Sequence, residues 1–265
     1  MEINVLNMSK DGLNCTFMTK GITITYANTL RRIFVENIPV LAIEDVEFRK
    51  NNSILYDEMI ALRLGLIPLL TDLKTYEQAP EDYKTAEDLN VKQKVSLTLK
   101  AKGPCTVYAS ELKSKDPTVK PIYPKIPIVT LLPGQELELE AIAVVNVGRI
   151  HAKWSPCLPF YSQKPEIKIK KKVENAKEVL ENQPDNIFIL KNNTLAVNND
   201  KILSSRLVEE SVALCKPTGA VELSYSDDEI IFTIESWGQL KCKEIIIEGL
   251  KQLNLMCDDF AKTLK

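Results

Sequence analysis

From about Leu240 to Leu264 the sequence reads as one long helix, and no other feature constrains the fold as tightly. Ile246, Gly249, Leu250, Leu253, Met256, Cys257, Phe260 and Leu264 line one side of it. At about 1.5 Å per residue it spans about 36 Å, a small-domain diameter. An apolar stripe of that length has to pack on something. Two covers are open: a sheet of the same chain, or a helix from a partner. A shorter helix near the start has the same character. Tyr26, Ala27, Leu30, Ile33 and Phe34 fall at i, i+1, i+4, i+7 and i+8, a stripe roughly 120° wide. Asn28, Arg31, Arg32 and Glu36 lie off that stripe, and Pro39 stops the helix.

Between these helices the pattern is mostly β. Ile3 and Val5 alternate, as do Leu13, Cys15 and Phe17 beyond Asp11-Gly12, and Ile22–Thr25 continues extended. Residues 43–48 read as a strand. Asp57 and Glu58 open a helix through Leu64, with acids at its positive end, Gly65 as a C-cap and Pro68 beyond. Residues 71–92 read as loop. Val95, Leu97 and Leu99, then Cys105, Val107 and Ala109, predict a hairpin across Gly103-Pro104. Prolines at 117, 121, 124, 127 and 133 impose an extended crossing before alternation resumes from Leu137 to Val145. The stretch 164–182 is lysine-rich. A small hairpin is expected around Asn192-Asn193, a helix over 201–214, and a last hairpin joining Val221–Tyr225 to Ile230–Ile234.

The chemistry of the chain is sparse. Hydrophobic residues make up 45%, enough for a core, and Lys+Arg 34 against Asp+Glu 36 leaves none of the basic excess that phosphate contacts use. No apolar run approaches the ~18–20 residues of a membrane span, which places the expected location in the cytoplasm. Cys15, Cys105, Cys157, Cys215, Cys242 and Cys257 are scattered without a C-x-x-C pair and read as small buried hydrophobes. Asp57-Glu58 suits a helix first turn better than an acid/base pair. His151 with Cys157 lacks a third orienting group for nucleophilic chemistry. Arg31-Arg32 beside Asn28 suits a solvated or interface face better than an anion site. Lys168, Lys170, Lys171 and Lys172 suit a strand edge. No Gly-rich phosphate loop, G-x-S-x-G or H-E-x-x-H occurs, so no catalytic residue is assigned.

Four motifs carry a resemblance. They are Ala27–Phe34 with Ile38-Pro39 and Ala42–Glu44, then Asp57–Leu69 (D-E-M-I-A-L-R-L-G-L-I-P-L), then His151–Pro156 (H-A-K-W-S-P), and last Ile234–Leu240 (I-E-S-W-G-Q-L). Together, in this order, the chain resembles the alpha-like subunits of RNA polymerases: bacterial alpha, the archaeal D subunit and the third-largest subunit of eukaryotic polymerase II. Leu62 stands where the archaeal and eukaryotic branch often has His.

The resemblance implies an α+β fold with a discontinuous dimerisation domain (1–45 and 220–265), a mainly β insert domain (46–163) and a ferredoxin-like insertion (164–219). It implies a non-catalytic assembly subunit of a DNA-directed RNA polymerase that heterodimerises with the small L subunit. The interface it implies comprises Tyr26, Leu30, Arg31, Ile33, Phe34, Ile246, Leu250, Leu253, Met256 and Phe260. Arg63, Leu64, Gly65, Pro68, His151, Lys153 and Trp154 would dock the small N and P subunits and the large catalytic subunits. Many archaeal D subunits hold an iron–sulfur cluster through C-x2-C-x2-C-x3-C-P spacing. Counting back from Cys215 at those spacings finds Ser211, Val208 and Ser205, so the cluster is expected to be absent while the insertion's fold survives. Two other classes compete: an enzyme or ligand-binding α+β protein, which needs a convergent polar pocket, and a homodimeric nucleic-acid-binding module, which the charge balance opposes.

Overall fold

The computed structural model describes residues 2–80, 83, 85, 88–191, 194–205 and 207–264. It is a mixed α+β protein whose chain divides into two compact units. One gathers Met1–Leu6, Thr16–Ala27 and Tyr161–Phe232; the other gathers Asn7–Cys15, Asn28–Phe160 and Thr233–Lys265.

The larger unit is built around β3 (Val40–Asn51) and β8 (Glu136–Asn146), in a four-stranded antiparallel sheet ordered β3-β8-β4-β6, with β4 Lys94–Lys102 and β6 Lys113–Ser114. Strict alternation in β4 and β8 sends Val95, Leu97, Leu99, Leu137, Leu139 and Ala141 to one buried face. Helix α2 (Asp57–Gly65) adds Ile60 and Leu64 to that core. The register of β3 on β8 shifts between Ile43 and Asp45, an irregularity that falls at Glu44.

β5 (Cys105–Tyr108) pairs with β7 (Pro127–Leu131), not with β4, so the expected hairpin across Gly103-Pro104 does not form. Alternation identified both strands but holds no information about which strand each pairs with. Gly103 is the hinge between the two sheets. A Cβ there would meet the Leu132 carbonyl oxygen at 2.1 Å, so the backbones approach too closely for any side chain.

The smaller unit holds most of a four-stranded sheet ordered β1-β2-β12-β9, from β1 (Glu2–Met8), β2 (Asn14–Lys20), β9 (Cys157–Ile169) and β12 (Val221–Ser236). Phe17 stacks on Phe232 with ring centroids 5.3 Å apart, and Tyr161 tilts against the same ring. Val221–Tyr225 and Ile230–Ile234 belong to this one strand of 16 residues rather than to a hairpin. Ser226-Asp227-Asp228 stays extended because its neighbours hold it: Gln163 donates to the Ser226 carbonyl, and Gly21 N–H to that of Asp228. Ladder pairing thus overrides weak β propensity.

The insertion contributes α3 (Ala176–Asn182) and the paired β10 (Phe188–Lys191) and β11 (Thr194–Val197). The Asn192-Asn193 turn expected between those strands lies outside the described residues. Where one helix was expected over 201–214 there are two, α4 (Asn199–Ile202) and α5 (Val208–Ala213). The serine hydroxyls between them compete for backbone groups, with Ser205 Oγ accepting from Leu207 N–H and bonding Asp185 at 2.6 Å. Near the N-terminus, β2 ends at Lys20 and helix α1 (Ile24–Glu36) takes in Ile24 and Thr25, so the expected extended run over Ile22–Thr25 does not form. The long C-terminal helix α6 runs Cys242–Thr263, and its Glu244 carboxylate accepts the Lys241 N–H at 2.8 Å. No described helix is long and apolar enough to cross a membrane.

Candidate functional site

The second, third and fourth motifs converge in the larger unit. After α2, Leu66–Leu70 is strapped to the proline-rich crossing: Ile122 N–H donates to the Pro68 carbonyl at 3.0 Å, and Leu70 N–H to that of Lys120 at 2.9 Å. Gly65 lies beside the Ile43 carbonyl, where a Cβ would sit 3.4 Å away.

The His151–Pro156 segment forms a tight turn over Ala152–Trp154. His151 caps it by accepting the Lys153 N–H on Nδ1 at 3.1 Å. Trp154 is buried and donates its indole N–H to the Val144 carbonyl at 3.0 Å, while Ser155 Oγ donates to that of Val35. The Lys153 ammonium lies 4.4 Å over the Trp154 ring, donates to the Ile43 carbonyl at 2.9 Å and pairs with the Glu44 carboxylate.

The fourth motif closes the arrangement. Trp237 N–H donates to the Pro156 carbonyl at 3.0 Å, and Thr71 N–H to that of Gln239 at 3.1 Å. Gly238, at φ 99°, turns the chain where a Cβ would meet Ile122 at 2.6 Å.

Between them lies a hollow of about 330 Å³ with apolar walls of Leu66, Pro68, Tyr123 and Trp237. Lys153, Ser155 and Gln239 reach its edge. Outward from Leu66, α2 exposes Met59 and Leu62 at helical spacing, with Tyr56 just before it. Of the docking residues expected from sequence, Pro68 and Lys153 line the hollow, Arg63 and His151 are exposed, and Leu64, Gly65 and Trp154 are buried supports beneath it. The expected docking residues leave out Tyr56, Met59, Leu62, Tyr123, Trp237 and Gln239, although Met59, Leu62, Trp237 and Gln239 stand in the motifs read from sequence, and Leu66 lies within the expected Arg63–Leu69 segment. Met59, Leu62 and Leu66 were available as an i, i+3, i+7 stripe opposite Ile60 and Leu64. For Tyr123 there was no local signal.

A second surface runs along α6. Its inner side buries Cys242, Ile245 and Gly249, and a Cβ on Gly249 would meet Phe34 Cδ1 at 2.5 Å. Helix α1 therefore lies close against it, with Leu30, Ile33 and Phe34 buried within this chain and Tyr26 half-buried. Ile246, Leu250 and Leu253 are half-buried. Beyond them the cover ends: Met256, Phe260 and Leu264 are 51%, 66% and 72% exposed at i, i+4 and i+8. Arg31 is held by Asn28 Oδ1 at 3.0 Å and Arg32 by Glu36 at 3.2 Å, which occupies both cations within the helix.

The candidate nucleophiles are silent. Burial, and then the neighbouring Cys242 thiol, pushes the Cys157 thiol far up; burial, and then Cys15, pushes Cys242 up to about 11. Cys157 Sγ faces the Phe34 carbonyl, not His151. Both stay as thiols at neutral pH.

At the four positions spaced for a cluster, Val208 is buried in an apolar cluster with Ile187 and Ile202, and Ser211 Oγ donates to the Leu207 carbonyl at 3.1 Å. Cys215 packs with Val173, Val179 and Phe188, and burial raises its thiol. One sulfur, two hydroxyls and an isopropyl group do not fit an iron–sulfur cluster.

Residues 46–156 match the family described as the RNA polymerase Rpb3/RpoA insert domain. The whole chain is similar to proteins named DNA-directed RNA polymerase subunit Rpo3. The one from Methanosphaera stadtmanae is 38% identical over 92% of this chain and 92% of the relative. Those from Pyrococcus furiosus (100% and 97%) and Methanothermobacter thermautotrophicus (91% and 90%) are each 34% identical.

Proposed function

Because the chain belongs to the Rpo3 family of DNA-directed RNA polymerase subunits, we propose that it is a non-catalytic assembly platform of that enzyme, working in the cytoplasm. In this reading residues 1–45 and 220–265 form the dimerisation domain, and α1 with α6 packs against equivalent helices of the small L subunit. The observation that carries it is the uneven cover of α6. Its first half is pinned to Phe34 at Gly249, while Met256, Phe260 and Leu264 face outward. A stripe of that kind is stabilised by a partner helix at roughly 25 cal/mol per Å² buried, before ordering costs. The hollow between the motifs, lined by the insert domain (46–163) together with Trp237 and Gln239, docks the small N and P subunits and the large catalytic subunits. The insertion, 164–219, works without an iron–sulfur cluster, a reading supported by the apolar surroundings of Val208 and Cys215.

Light scattering on a gel-filtration column tests the proposal, on the chain alone and co-expressed with an L-type subunit. The expected result is a stable one-to-one complex that Phe260→Asp abolishes. A well-behaved monomer that ignores the L-type subunit overturns the proposal.

A further inference from the structure

The outer face of the larger unit's main sheet is built from charge on two levels. The even-numbered side chains of β4 point away from the core: Lys94 and Ser96 are half-buried, and Thr98, Lys100 and Lys102 are exposed. Val95, Leu97, Leu99 and Ala101 alternate with them and are buried. At about 3.4 Å per residue the outward row is about 27 Å long, and it contains no carboxylate. Beside it, Lys113 of β6 lies opposite Thr98, and Lys115 follows, both exposed. On the other side, Glu136, Glu138 and Glu140 of β8 lie opposite Lys102, Lys100 and Thr98.

Five cations share these three carboxylates. Glu136 pairs with Lys50 at 2.7 Å and Lys102 at 3.1 Å, and Glu138 with Lys100 at 2.8 Å. Glu140 pairs with Arg49 at 3.2 Å and Lys115 at 3.8 Å. The carboxylates lie low, with side chains 21–31% exposed, while those of the cations stand above them at 53–73%. Lys113 adds to the cations and the exposed Glu47 to the acids, so the excess remains positive. The formal charge of -2 on the whole chain hides this local excess. Exposed ion pairs are worth little in water, so an outside anion competes for the same cations.

The composition of the face selects the anion. No outward side chain of β4 or β6 is apolar, whereas a protein interface has an apolar core. Nucleic-acid interfaces are polar and strongly cationic. Nor does an aromatic ring point outward from these two strands to stack on an unpaired base. We propose that this face lies along the sugar–phosphate backbone of a nucleic-acid duplex, with Lys100, Lys102, Lys113 and Lys115 contacting phosphates without reading sequence. It shares no residue with α6 or the hollow, and so goes beyond the assembly reading.

Fluorescence anisotropy of the full chain with short labelled DNA and RNA duplexes tests the proposal. Binding to either duplex is expected, and the preferred one names the source of the phosphates. Affinity should fall about a hundredfold between roughly 50 and 200 mM salt, the dependence of about four phosphate contacts. Replacing two contacts, Lys100→Gln with Lys102→Gln, should weaken binding about tenfold and roughly halve the salt slope. Lys113→Gln with Lys115→Gln should do the same at the sheet's edge, where the longest of these ion pairs is lost, and so covers the case in which the first pair unfolds the chain. Lys170→Gln with Lys171→Gln removes equal charge from the smaller unit and should leave binding unchanged. Equal losses from all three pairs overturn the proposal, because net charge alone then explains them. So does a β4 double variant that melts lower yet binds as wild type, since the ladder then serves only the sheet. Absence of duplex binding at low salt, or equal competition by polyglutamate, also overturns it.

Discussion

Gly249 shows what a single missing side chain does in this molecule. It lies on the apolar stripe that the sequence displays, yet its role is not to present a surface but to receive Phe34. An ordinary exposed glycine in a helix gains up to about 1 kcal/mol on replacement by alanine. Here the added methyl enters the Phe34 ring, and overpacking of this kind costs about 1–3 kcal/mol. Gly249→Ala is therefore expected to lower stability in chemical denaturation despite its better helix propensity, and Gly249→Leu to lower it further.

A second prediction at this scale concerns Glu229. The hydrogen bond from Lys164 is the main cause of its lowered pKa, with Lys164 and Lys20 charges adding to it. A carboxylate depressed on folding stabilises the native state above its unfolded pKa of about 4.3, and that contribution is lost as pH falls through the lower folded value. Lys164→Met should therefore melt lower than wild type at pH 7, with the gap closing near pH 3. A gap that persists at pH 3 would assign the effect to packing instead.

Residues of this kind divide by legibility. The Arg63–Pro68 and His151–Trp154 motifs point to the hollow from sequence. Trp237 and Gln239 stand in the Ile234–Leu240 motif but are given no docking role there, and Tyr123 has no motif at all, because their place at the hollow comes from tertiary placement: a proline-rich crossing strapped to Pro68, and a glycine turn against Ile122.

At the scale of elements, α6 behaves as two helices in one. Ile245 is fully buried and Phe260 is two-thirds exposed, although both belong to one unbroken helix. A charge at position 245 enters the core without a partner and should unfold or severely weaken the free chain. Phe260→Asp should leave the free chain's melting temperature within the shift that about 0.5 kcal/mol produces, the usual bound for surface sites. Similar losses for both would mean that the outer half is covered by this chain. Periodicity shows such a stripe but not where its cover ends, since hydrophobic spacing is the same against a core or a partner. Strand identity was legible for the same reason that strand partnership was not. β4 and β5 alternate visibly, yet they join different sheets, and β12 runs straight through three polar residues that resemble a turn.

For the whole molecule, the mixed α+β class and the family were both readable from four short motifs. Asn28–Phe160 clusters with Thr233–Lys265, and Tyr161–Phe232 with two short N-terminal pieces, which reflects contacts between distant segments that no local pattern encodes. The insertion is the sharpest test at this scale. Its side chains form apolar clusters around Val179, Phe188 and Val208 where sulfur ligation would require thiolates. Anaerobically purified protein should contain iron and acid-labile sulfide far below one cluster per chain, and its melting curve should not move with chelator. Near-stoichiometric iron and sulfide would overturn this account.

The bare outer turns of α6 also bear on cellular supply. A chain made in excess of whatever covers Met256, Phe260 and Leu264 displays an apolar ridge of the sort that chaperones and proteases sort on. If a partner helix covers this ridge as proposed, the abundance of the chain would follow that of the partner, because surplus copies would keep the ridge exposed. A half-covered helix would thereby act as a stoichiometry gauge, matching the dose of one gene product to another without any dedicated regulator.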